Sequence, residues 1–287
     1  MKLSIGIIGL PNVGKSTLFQ ALTKKQVNIA NYPFTTIDPN VGVVAAKDER
    51  LEQVAKVMKS KEIFPAVFEF IDIAGLAKDA HKGAGLGNQF LACLRECDAI
   101  IHLVRIFKDE SVIYYDKEHN PIDEFEIILA ELKLKDEESK EKINLLSKKP
   151  QLVILNGPAE EVSKDLVAEI EASSHPYLVI NLKDELADKD LRAIFENFHQ
   201  FLDLITFYTA NENEARSWFI KKRTKAPQVA GIVHTDFEKN FIKAEVINWE
   251  KLIEAGDWHK ARQKGLIRVE GKDYLVQDGD VILIKHS

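Results

Sequence analysis

The sequence predicts an α/β fold with a mainly parallel sheet, followed by a small C-terminal domain of mixed β structure. Over the first two thirds, short runs rich in β-branched residues alternate with amphipathic segments of helical period. Such alternation builds parallel sheets that carry helices on both faces. After residue 203 the pattern changes to short strand-like runs separated by polar turns. We therefore predict one domain over residues 1–203 and a second over residues 204–287.

Each predicted element is bounded by a change of hydrophobic period or by a turn signal. The expected strands of the first domain are residues 3–8, 66–71, 99–106, 152–155 and 177–180. The helical patterns of this domain are residues 16–23, 86–95, 160–172 and 191–204. The expected strands of the second domain are residues 205–209, 215–220, 244–247, 266–269, 274–276 and 281–284.

The length and composition fit a globular protein with two buried cores. The chain has 287 residues, of which 45% are apolar and 29% charged. No run of 18 apolar residues occurs, so no membrane span is expected. The apolar stretch at residues 3–8 is short, broken by glycine and followed directly by a motif, which favours a buried strand over a signal peptide. We expect a cytoplasmic protein.

Neither the cysteines nor the charge distribution identifies a ligand. Cys93 and Cys97 share one helix face, but two thiols without a histidine partner make a poor metal site, so both are expected in the core. Residues 205–287 carry 14 Lys and Arg against 12 Asp and Glu, whereas the rest of the chain is acidic. A mildly basic C-terminal domain permits contact with a polyanion without requiring it.

A glycine-rich motif directly after the first predicted strand indicates a phosphate-binding loop. Residues 9–16, GLPNVGKS, fit G-x-x-x-x-G-K-[ST] at every constrained position, with a strand before and a helix after. The glycines let backbone N–H groups and the helix N-terminus point at phosphate oxygens. Lys15 is expected on the β- and γ-phosphates, and the Ser16 hydroxyl on Mg²⁺. The nucleotide-binding residues expected here are Pro11, Asn12, Val13, Gly14, Lys15, Ser16 and Thr17.

A second acidic residue that faces the metal is expected at the end of another strand. The apolar run that begins at Phe68 ends in Asp72-Ile73-Ala74-Gly75, a D-x-x-G pattern. Asp72 would hold Mg²⁺ through water, and the Gly75 amide would contact the γ-phosphate. The pattern is weak alone and becomes strong when it follows a phosphate loop.

The segment between the two motifs is the predicted first switch. Residues 31–42, NYPFTTIDPNVG, can supply a threonine hydroxyl to Mg²⁺ only when the γ-phosphate is present. From the spacing alone, Thr35 and Thr36 are both candidates.

The residue after the D-x-x-G pattern bears on turnover. Leu76 stands where most small GTPases place the glutamine that orients the attacking water, which a leucine cannot do. Turnover is therefore slow, or another group positions the water. Asn12 is a candidate for recruiting K⁺, and a role in shaping the loop is the equal alternative. Residues 77–88, which contain three glycines, are the predicted second switch.

The loop after the strand at 152–155 decides the base. Guanine recognition in this class uses N-K-x-D, whose aspartate accepts hydrogen bonds from the base. Here the loop reads Asn156-Gly157-Pro158-Ala159, so both the lysine and the aspartate are missing. Losing such a partner can cost orders of magnitude in discrimination. Adenine is the predicted base.

Taken together, these residues resemble the Obg-like ATPases of the YchF type over nearly the whole chain. The matching segments are residues 9–19, 31–43, 72–76, 83–91, 226–228, 234–242 and 270–274. The resemblance implies a C-terminal TGS domain of ubiquitin-like fold, ATP preference, Mg²⁺ dependence and association with the ribosome or ribosomal RNA. It also implies that Ser16 and Thr36 are metal ligands and that Asn156 contacts the base. We expect no membrane association and no DNA specificity.

Three positions depart from the family pattern. The family carries a long coiled-coil insertion, whereas residues 121–149 leave room for one short helical segment. Ala159 stands where the family usually has glutamate, with Glu160 one position later. Tyr114 replaces a family histidine that is proposed to assist hydrolysis. His81, in the second switch, is a catalytic candidate in its place, beside Asn12 and Lys15, or a solvated loop histidine.

The predicted function is a Mg²⁺-dependent ATPase switch that engages the translation machinery through the TGS domain. The alternatives are a GTPase and a nucleotide-gated binding module with negligible turnover. The cluster Lys221-Lys222-Arg223 with Lys225 could contact RNA phosphates, or could be a solvated strand edge protected by charge. The tryptophans Trp218, Trp249 and Trp258 are expected to pack within the C-terminal domain.

Overall fold

The computed structural model describes residues 3–26, 40–73, 86–109, 120–139, 144–184 and 186–287. Within these residues the strands form two six-stranded sheets. The strands are β1 (Leu3–Ile8), β2 (Val41–Ala45), β3 (Glu62–Phe64), β4 (Val67–Asp72), β5 (Ala99–Arg105), β6 (Gln151–Asn156), β7 (Tyr177–Ile180), β8 (Leu204–Ala210), β9 (Glu214–Lys221), β10 (Phe241–Asn248), β11 (Arg268–Glu270) and β12 (Asp280–His286).

Several of the described helices begin at a residue whose side chain caps the first turn. They are α1 (Lys15–Thr23), α2 (Glu49–Met58), α3 (Leu86–Glu96), α4 (Pro121–Glu138), α5 (Lys164–Ala172), α6 (Asp188–Phe201), α7 (Ala226–Val233), α8 (Thr235–Lys239), α9 (Trp249–Ala255) and α10 (Trp258–Gln263). The start of α4 is an example of such a capped helix start. The Asn120 side chain accepts a hydrogen bond from the Ile122 amide, and Pro121 occupies the first turn, where a missing N–H costs nothing.

The first sheet has the strand order β2-β4-β1-β5-β6-β7. All neighbouring strands are parallel except β2, which runs antiparallel to β4. The carboxyl ends of the parallel strands therefore meet at one edge, where ligand sites of open α/β sheets form. The continuous apolar character of β1, β5 and β6 matches their burial on both faces.

The second sheet has the order β11-β10-β12-β8-β9-β3, and its last strand comes from the first half of the chain. β3 pairs in parallel with β9, with Glu62 opposite Glu214 and Phe64 opposite Arg216. Helix α2 packs on the same sheet, because Leu51, Val54 and Ala55 share a buried cluster with apolar residues of the C-terminal region. Residues 49–64 thus contribute to the core of the second sheet.

Most of the predicted strands are confirmed, and two expectations in the C-terminal part are wrong. The helix expected to reach residue 204 ends at Phe201, because Leu204 already pairs with Lys221 in the second sheet. Residues 274–276 are not a strand, since Leu275 makes only an isolated bridge with Lys225. Cys97 and the three tryptophans lie in apolar clusters, as expected. None of the described helices combines the length and apolarity needed to cross a membrane.

Candidate functional site

The phosphate loop lies between β1 and α1, at the carboxyl edge of the first sheet. Gly14 caps the helix, and its carbonyl accepts from the Leu18 amide at 2.9 Å. The side chains of Ser16 and Thr17 are exposed, whereas Val13 is buried. A helix N-terminus presents backbone N–H groups and positive dipole toward the solvent in front of it, which is the physical basis of phosphate binding.

Two glycines of this loop cannot be replaced without distortion. Gly9 has a φ of 149°, and a Cβ there would lie 2.4 Å from the Leu103 carbonyl oxygen. Gly14 has a φ of 105°, and a Cβ would lie 2.5 Å from the Asn156 amide nitrogen. Both positions need the left-handed freedom of glycine and a close approach of neighbouring chain. The motif spacing therefore reflects the shape of the loop as well as its chemistry.

The lysine of the motif folds over its own loop. Lys15 Nζ donates to the carbonyl oxygens of Gly9 at 2.9 Å and Leu10 at 2.7 Å. The ammonium group is thereby held inside the loop that would surround a phosphate chain. A lysine in this position can exchange carbonyl oxygens for phosphate oxygens, with a stronger charge-assisted bond.

The predicted metal ligands that the structure describes are suited to Mg²⁺. Asp72 ends β4 and is 6% exposed, and its amide donates to the Asn40 carbonyl at 3.0 Å. β4 neighbours β1 in the sheet, so Asp72 and the start of α1 with Ser16 share one edge. A carboxylate and a hydroxyl are hard oxygen ligands of the kind that Mg²⁺ prefers. The described residues contain no group of three or more His, Cys, Asp and Glu side chains that could hold a metal ion.

Asn156 joins the loop after β6 to the phosphate loop. Its Nδ2 donates to the Val13 carbonyl at 2.8 Å, and its Oδ1 accepts from the Leu182 amide at 3.0 Å. The side chain is 4% exposed. Both ends of the amide are therefore engaged within the protein, so Asn156 fixes the relative position of three loops.

Sequence reasoning missed an aromatic wall beside Asn156. The amides of Ile106 and Phe107 both donate to the Asn156 carbonyl, at 3.0 and 3.3 Å. Gly157 has a φ of 153°, and a Cβ would lie 2.8 Å from the Phe107 nitrogen. Phe107 thus packs directly against the loop that is expected to receive the base.

Two cations flank this aromatic ring. The Arg105 guanidinium lies 4.2 Å from the Phe107 ring centroid and donates to the carbonyls of Phe107 and Asp109, both at 3.1 Å. Lys183 Nζ lies 5.4 Å from the same centroid and 3.2 Å from an Asp109 carboxylate oxygen. Phe107 and Lys183 follow β5 and β7. Because ligands bind at the carboxyl ends of parallel strands, the positions directly after the predicted strands could have been proposed from the sequence as site residues.

Several predicted site residues lie outside the described part of the chain. These are Thr35, Thr36, Gly75, Leu76, His81 and Tyr114. Among the described ones, Asn12 is exposed and has a φ of 64°, a left-handed conformation that asparagine tolerates. Ala159 and Glu160 are also exposed. Ser16, Lys15, Asp72 and Asn156 therefore form the described core of the candidate site.

The basic cluster of the C-terminal domain is exposed at the end of β9. Lys222 pairs with Asp203 at 2.8 Å, and Lys225 pairs with Asp273 at 2.8 Å. Lys221 and Arg223 are also exposed. Both sequence interpretations of this cluster, contact with RNA and protection of a strand edge, fit this placement.

Comparisons with known proteins match both parts of the chain to described families. Residues 4–157 match the family described as 50S ribosome-binding GTPase, and residues 204–287 match the YchF-type GTPase C-terminal family, described as a protein of unknown function. The Ribosome-binding ATPase YchF of Mycoplasma genitalium is 39% identical, with 99% of each chain covered. That of Bacillus subtilis is 36% identical, with 98% of each chain covered.

A solved structure extends the similarity to the fold. The structure of the Schizosaccharomyces pombe YchF GTPase superposes with a TM-score of 0.83 at 30% identity, and covers 99% of this chain and 97% of that chain. The alignment with the Mycoplasma genitalium protein spans 364 positions, although this chain has 287 residues. That relative therefore has positions with no counterpart in this chain. With the phosphate loop, Asp72 and both sheets in place, the chain belongs to the YchF family of P-loop nucleoside triphosphatases.

Proposed function

We propose that this protein is a Mg²⁺-dependent ATPase that works as a slow molecular switch and associates with the ribosome in the cytoplasm. The observation that carries the choice of ATP is the loop after β6. Its fourth position is the exposed Ala159, so no carboxylate stands where guanine recognition requires one. Phe107 lies beside Gly157, with Arg105 and Lys183 over its ring, and we infer that the ring stacks on the purine.

Competition binding tests the base preference. The full chain is titrated with a fluorescent ATP analogue in Mg²⁺ and then competed with ATP or GTP. ATP should displace the analogue at a concentration at least about tenfold below that of GTP, since an unpaired polar edge costs that much or more. Equal competition, or stronger competition by GTP, would contradict the proposal.

A gain-of-function variant sharpens this test. Ala159→Asp restores the carboxylate that guanine needs and should raise GTP affinity without raising ATP affinity. Ala168→Asp is the matched control, because Ala168 is also exposed but lies on α5. An equal change in both variants would show that added charge, and not base recognition, was responsible.

The second candidate function is a GTPase. The matched family is described as a GTPase, and the Schizosaccharomyces pombe structure is that of a YchF GTPase. The curated relatives from Mycoplasma genitalium and Bacillus subtilis are named ATPases. The competition experiment separates the two.

Mg²⁺ would be held by Ser16 and Thr36 directly and by Asp72 through water, and when bound it would neutralise charge on the β- and γ-phosphate oxygens. Lys15, already directed inward by the Gly9 and Leu10 carbonyls, would bind the same oxygens. The Gly75 amide would contact the γ-phosphate. These residues orient the phosphate chain and hold its charge.

Slow turnover follows from Leu76, which cannot orient a water molecule. The exposed Asn12 could recruit K⁺ beside the phosphates, and His81 could assist the attacking water. Single-turnover hydrolysis in KCl and in NaCl, with and without ribosomes, tests these roles. Zero turnover in all four conditions, with intact ATP binding, would favour a nucleotide-gated binding module instead.

Ribosome association is supported by the names of the curated relatives and by the basic cluster of the C-terminal domain. We propose that this domain, at residues 204–287, is of the TGS type, and that Lys221 and Arg223 contact RNA phosphates. Co-sedimentation with ribosomes should weaken as salt rises, because phosphate contacts release counterions. The double variant Lys221→Ala with Arg223→Ala should weaken binding and flatten its salt dependence. Unchanged sedimentation would remove the cluster from the interface.

A further inference from the structure

The chain between the two predicted switches spans both sheets. Near the candidate nucleotide site, β2 and β4 form an antiparallel pair with Val41 opposite Ile71, and the Asp72 amide donates to the Asn40 carbonyl. At the other end of this pair, Ala45 lies opposite Val67. Between Ala45 and Val67 the chain leaves the first sheet and enters the second.

The far end of this segment is built into the C-terminal sheet. Strand β3 extends that sheet beside β9, and the amides of Lys61 and Glu62 donate to the carbonyls of Glu212 and Asn213, at 3.2 and 3.0 Å. The Ala66 amide donates to the Ser217 hydroxyl at 2.8 Å in a buried position. These bonds fix the backbone of the segment to the sheet.

Apolar packing adds to these hydrogen bonds. Leu51 and Val54 of α2 are fully buried, and Ala55 is 2% exposed. All three lie in one cluster with Tyr208, Ala215 and residues of α9 and α10. Burial of whole aliphatic side chains makes separation of α2 from the sheet costly. The segment therefore moves with the C-terminal sheet.

A polar cluster ties the start of α2 to the same sheet. We define it as Asp48, Arg50, Tyr208 and Asp278. The Arg50 guanidinium contacts both Asp48 oxygens at 3.1 Å and one Asp278 oxygen at 2.8 Å. The Tyr208 hydroxyl donates to Asp48 at 2.6 Å, and the Thr206 amide donates to Asp278 at 2.8 Å.

The cluster is partly shielded from water. Burial raises the pKa of Tyr208, and its bond to Asp48 raises it further, so the hydroxyl stays a donor at every physiological pH. Arg50 and Asp48 are less than a third exposed, while Asp278 is about half exposed. Hydrogen bonds to charged groups in such surroundings are stronger than exposed ion pairs.

We propose that residues 48–66 couple the nucleotide site to the C-terminal sheet, and that the cluster of Asp48, Arg50, Tyr208 and Asp278 sets the strength of this coupling. The inference rests on the proposed nucleotide-switch function. A triphosphate that moves the chain next to Asn40 or Asp72 displaces the rigid β2–β4 pair and, through it, the segment anchored in the second sheet. By reciprocity, a partner bound to the C-terminal sheet changes the preference for triphosphate over diphosphate.

The test compares triphosphate and diphosphate affinities in full-length variants. Asp278→Asn removes the charge that pairs with Arg50, and Tyr208→Phe removes only the bond to Asp48. Each should change the ratio of the dissociation constants for fluorescent ATP and ADP analogues by about fivefold, the lower end of typical couplings. Asp273→Asn is the matched control, since it breaks the exposed pair with Lys225 in the same domain and should leave the ratio unchanged.

Hydrogen exchange supplies a readout that simple destabilisation does not reproduce. In the wild type, exchange of the Lys61 and Glu62 amides should differ between a non-hydrolysable ATP analogue and ADP, and the variants should reduce this difference. A merely structural role would raise exchange equally with both nucleotides. Should Asp278→Asn fail to fold, Tyr208→Phe still carries the test, because it deletes a single hydroxyl.

The outcomes separate this inference from the function on which it rests. A wild type that binds neither analogue overturns both. A wild type that binds them, with Asp278→Asn and Tyr208→Phe keeping its affinity ratio, overturns the coupling alone. An equal shift in Asp273→Asn would likewise overturn it, because the effect would then come from loss of any charge in the domain.

Discussion

Replacing Asn156 by alanine should weaken the protein and its phosphate loop together. The substitution removes the donor to the Val13 carbonyl and the acceptor for the Leu182 amide, at 2.8 and 3.0 Å, in a position only 4% exposed. Each buried polar group left without a partner costs about 1–3 kcal/mol. We therefore expect the free energy of unfolding to fall by about 2–4 kcal/mol, some of it recovered where water enters.

The same change should weaken nucleotide binding. Val13 lies within the phosphate loop, so in the variant the nucleotide itself must order the Val13 peptide. If this ordering costs about 1.4 kcal/mol of binding free energy, the nucleotide binds about tenfold more weakly. Asn156→Asp tests the role of the Nδ2 donor alone. It keeps the shape and the acceptor for Leu182 but sets a carboxylate oxygen against the Val13 carbonyl, so it should bind at least as poorly as the alanine variant.

Urea unfolding and titration with a fluorescent ATP analogue measure both effects. Asn197→Ala is the control, because Asn197 is an asparagine of α6 whose amide donates only to the Ala193 carbonyl one turn earlier. It should change stability by about 0.5 kcal/mol or less and leave nucleotide affinity intact. If Asn156→Ala kept wild-type affinity and wild-type unfolding, the bridge between the loops would have no energetic role.

Three further predictions follow from the site and its sheet. Lys15→Ala should abolish detectable ATP binding in the same titration, and retention of affinity within about threefold would exclude Lys15 as a phosphate ligand. Phe107→Ala should lower ATP affinity by about 1–3 kcal/mol if the ring stacks on the base, whereas equal loss for inorganic triphosphate would locate the effect elsewhere. Burial holds the pKa of His102 at about 3, with a smaller contribution from His175, against an ordinary value of 6.5. Between these two pH values the folded state binds fewer protons than the unfolded state. The free energy of unfolding therefore falls as the pH drops below 6.5. This group contributes at most about 1.4 kcal/mol per pH unit. Urea unfolding at pH 7.5 and 5.5 should show a smaller pH effect in His102→Leu than in the wild type, and identical slopes would refute it.

Much of the first sheet was predictable because its strands are continuous apolar runs. Buried parallel strands need apolar side chains on both faces, and β1 and β5 are mostly apolar, although β5 also buries His102 and Arg105. The phosphate loop was predictable for a related reason. Its Gly9 and Gly14 occupy backbone conformations and close contacts that other residues cannot adopt, so the chemistry leaves a fixed spacing in the sequence.

The pairing of β3 with the second sheet could not be predicted from the sequence. The strand is three residues long, with Glu62 and Ile63 exposed and only Phe64 buried, so no alternation marks it. Its partner β9 begins at Glu214, far along the chain. Helix α2 does show an apolar face in Leu51, Val54 and Ala55, but a hydrophobic stripe does not reveal which sheet will cover it.

The motif residues of the candidate site could be predicted from the sequence, whereas the residues that line it beside the motifs could not. Asn156 stood out through the pattern of a base-recognition loop, whereas its bond to Val13 depends on β1 and β6 ending at the same edge of the sheet, with β5 between them. Phe107 and Lys183 belong to no motif, and they gain meaning only because β5 and β7 end at the same edge as β1. A motif has a fixed spacing because its residues must bind the ligand in one geometry. The residues that line the rest of the site need only a suitable shape, so they follow no sequence pattern.

A buried carboxylate organises the connection from α4 to β6. Asp136, near the end of α4, is 7% exposed and accepts from the amides of Leu146 and Ser147, both at 2.8 Å. Although burial alone raises its pKa, these two bonds and Arg95 at 3.6 Å bring the pKa below its usual value. Asp136 is thus charged at neutral pH and fixes the turn that leads into β6. This local bridge precedes β6, the strand that ends at Asn156 of the candidate site.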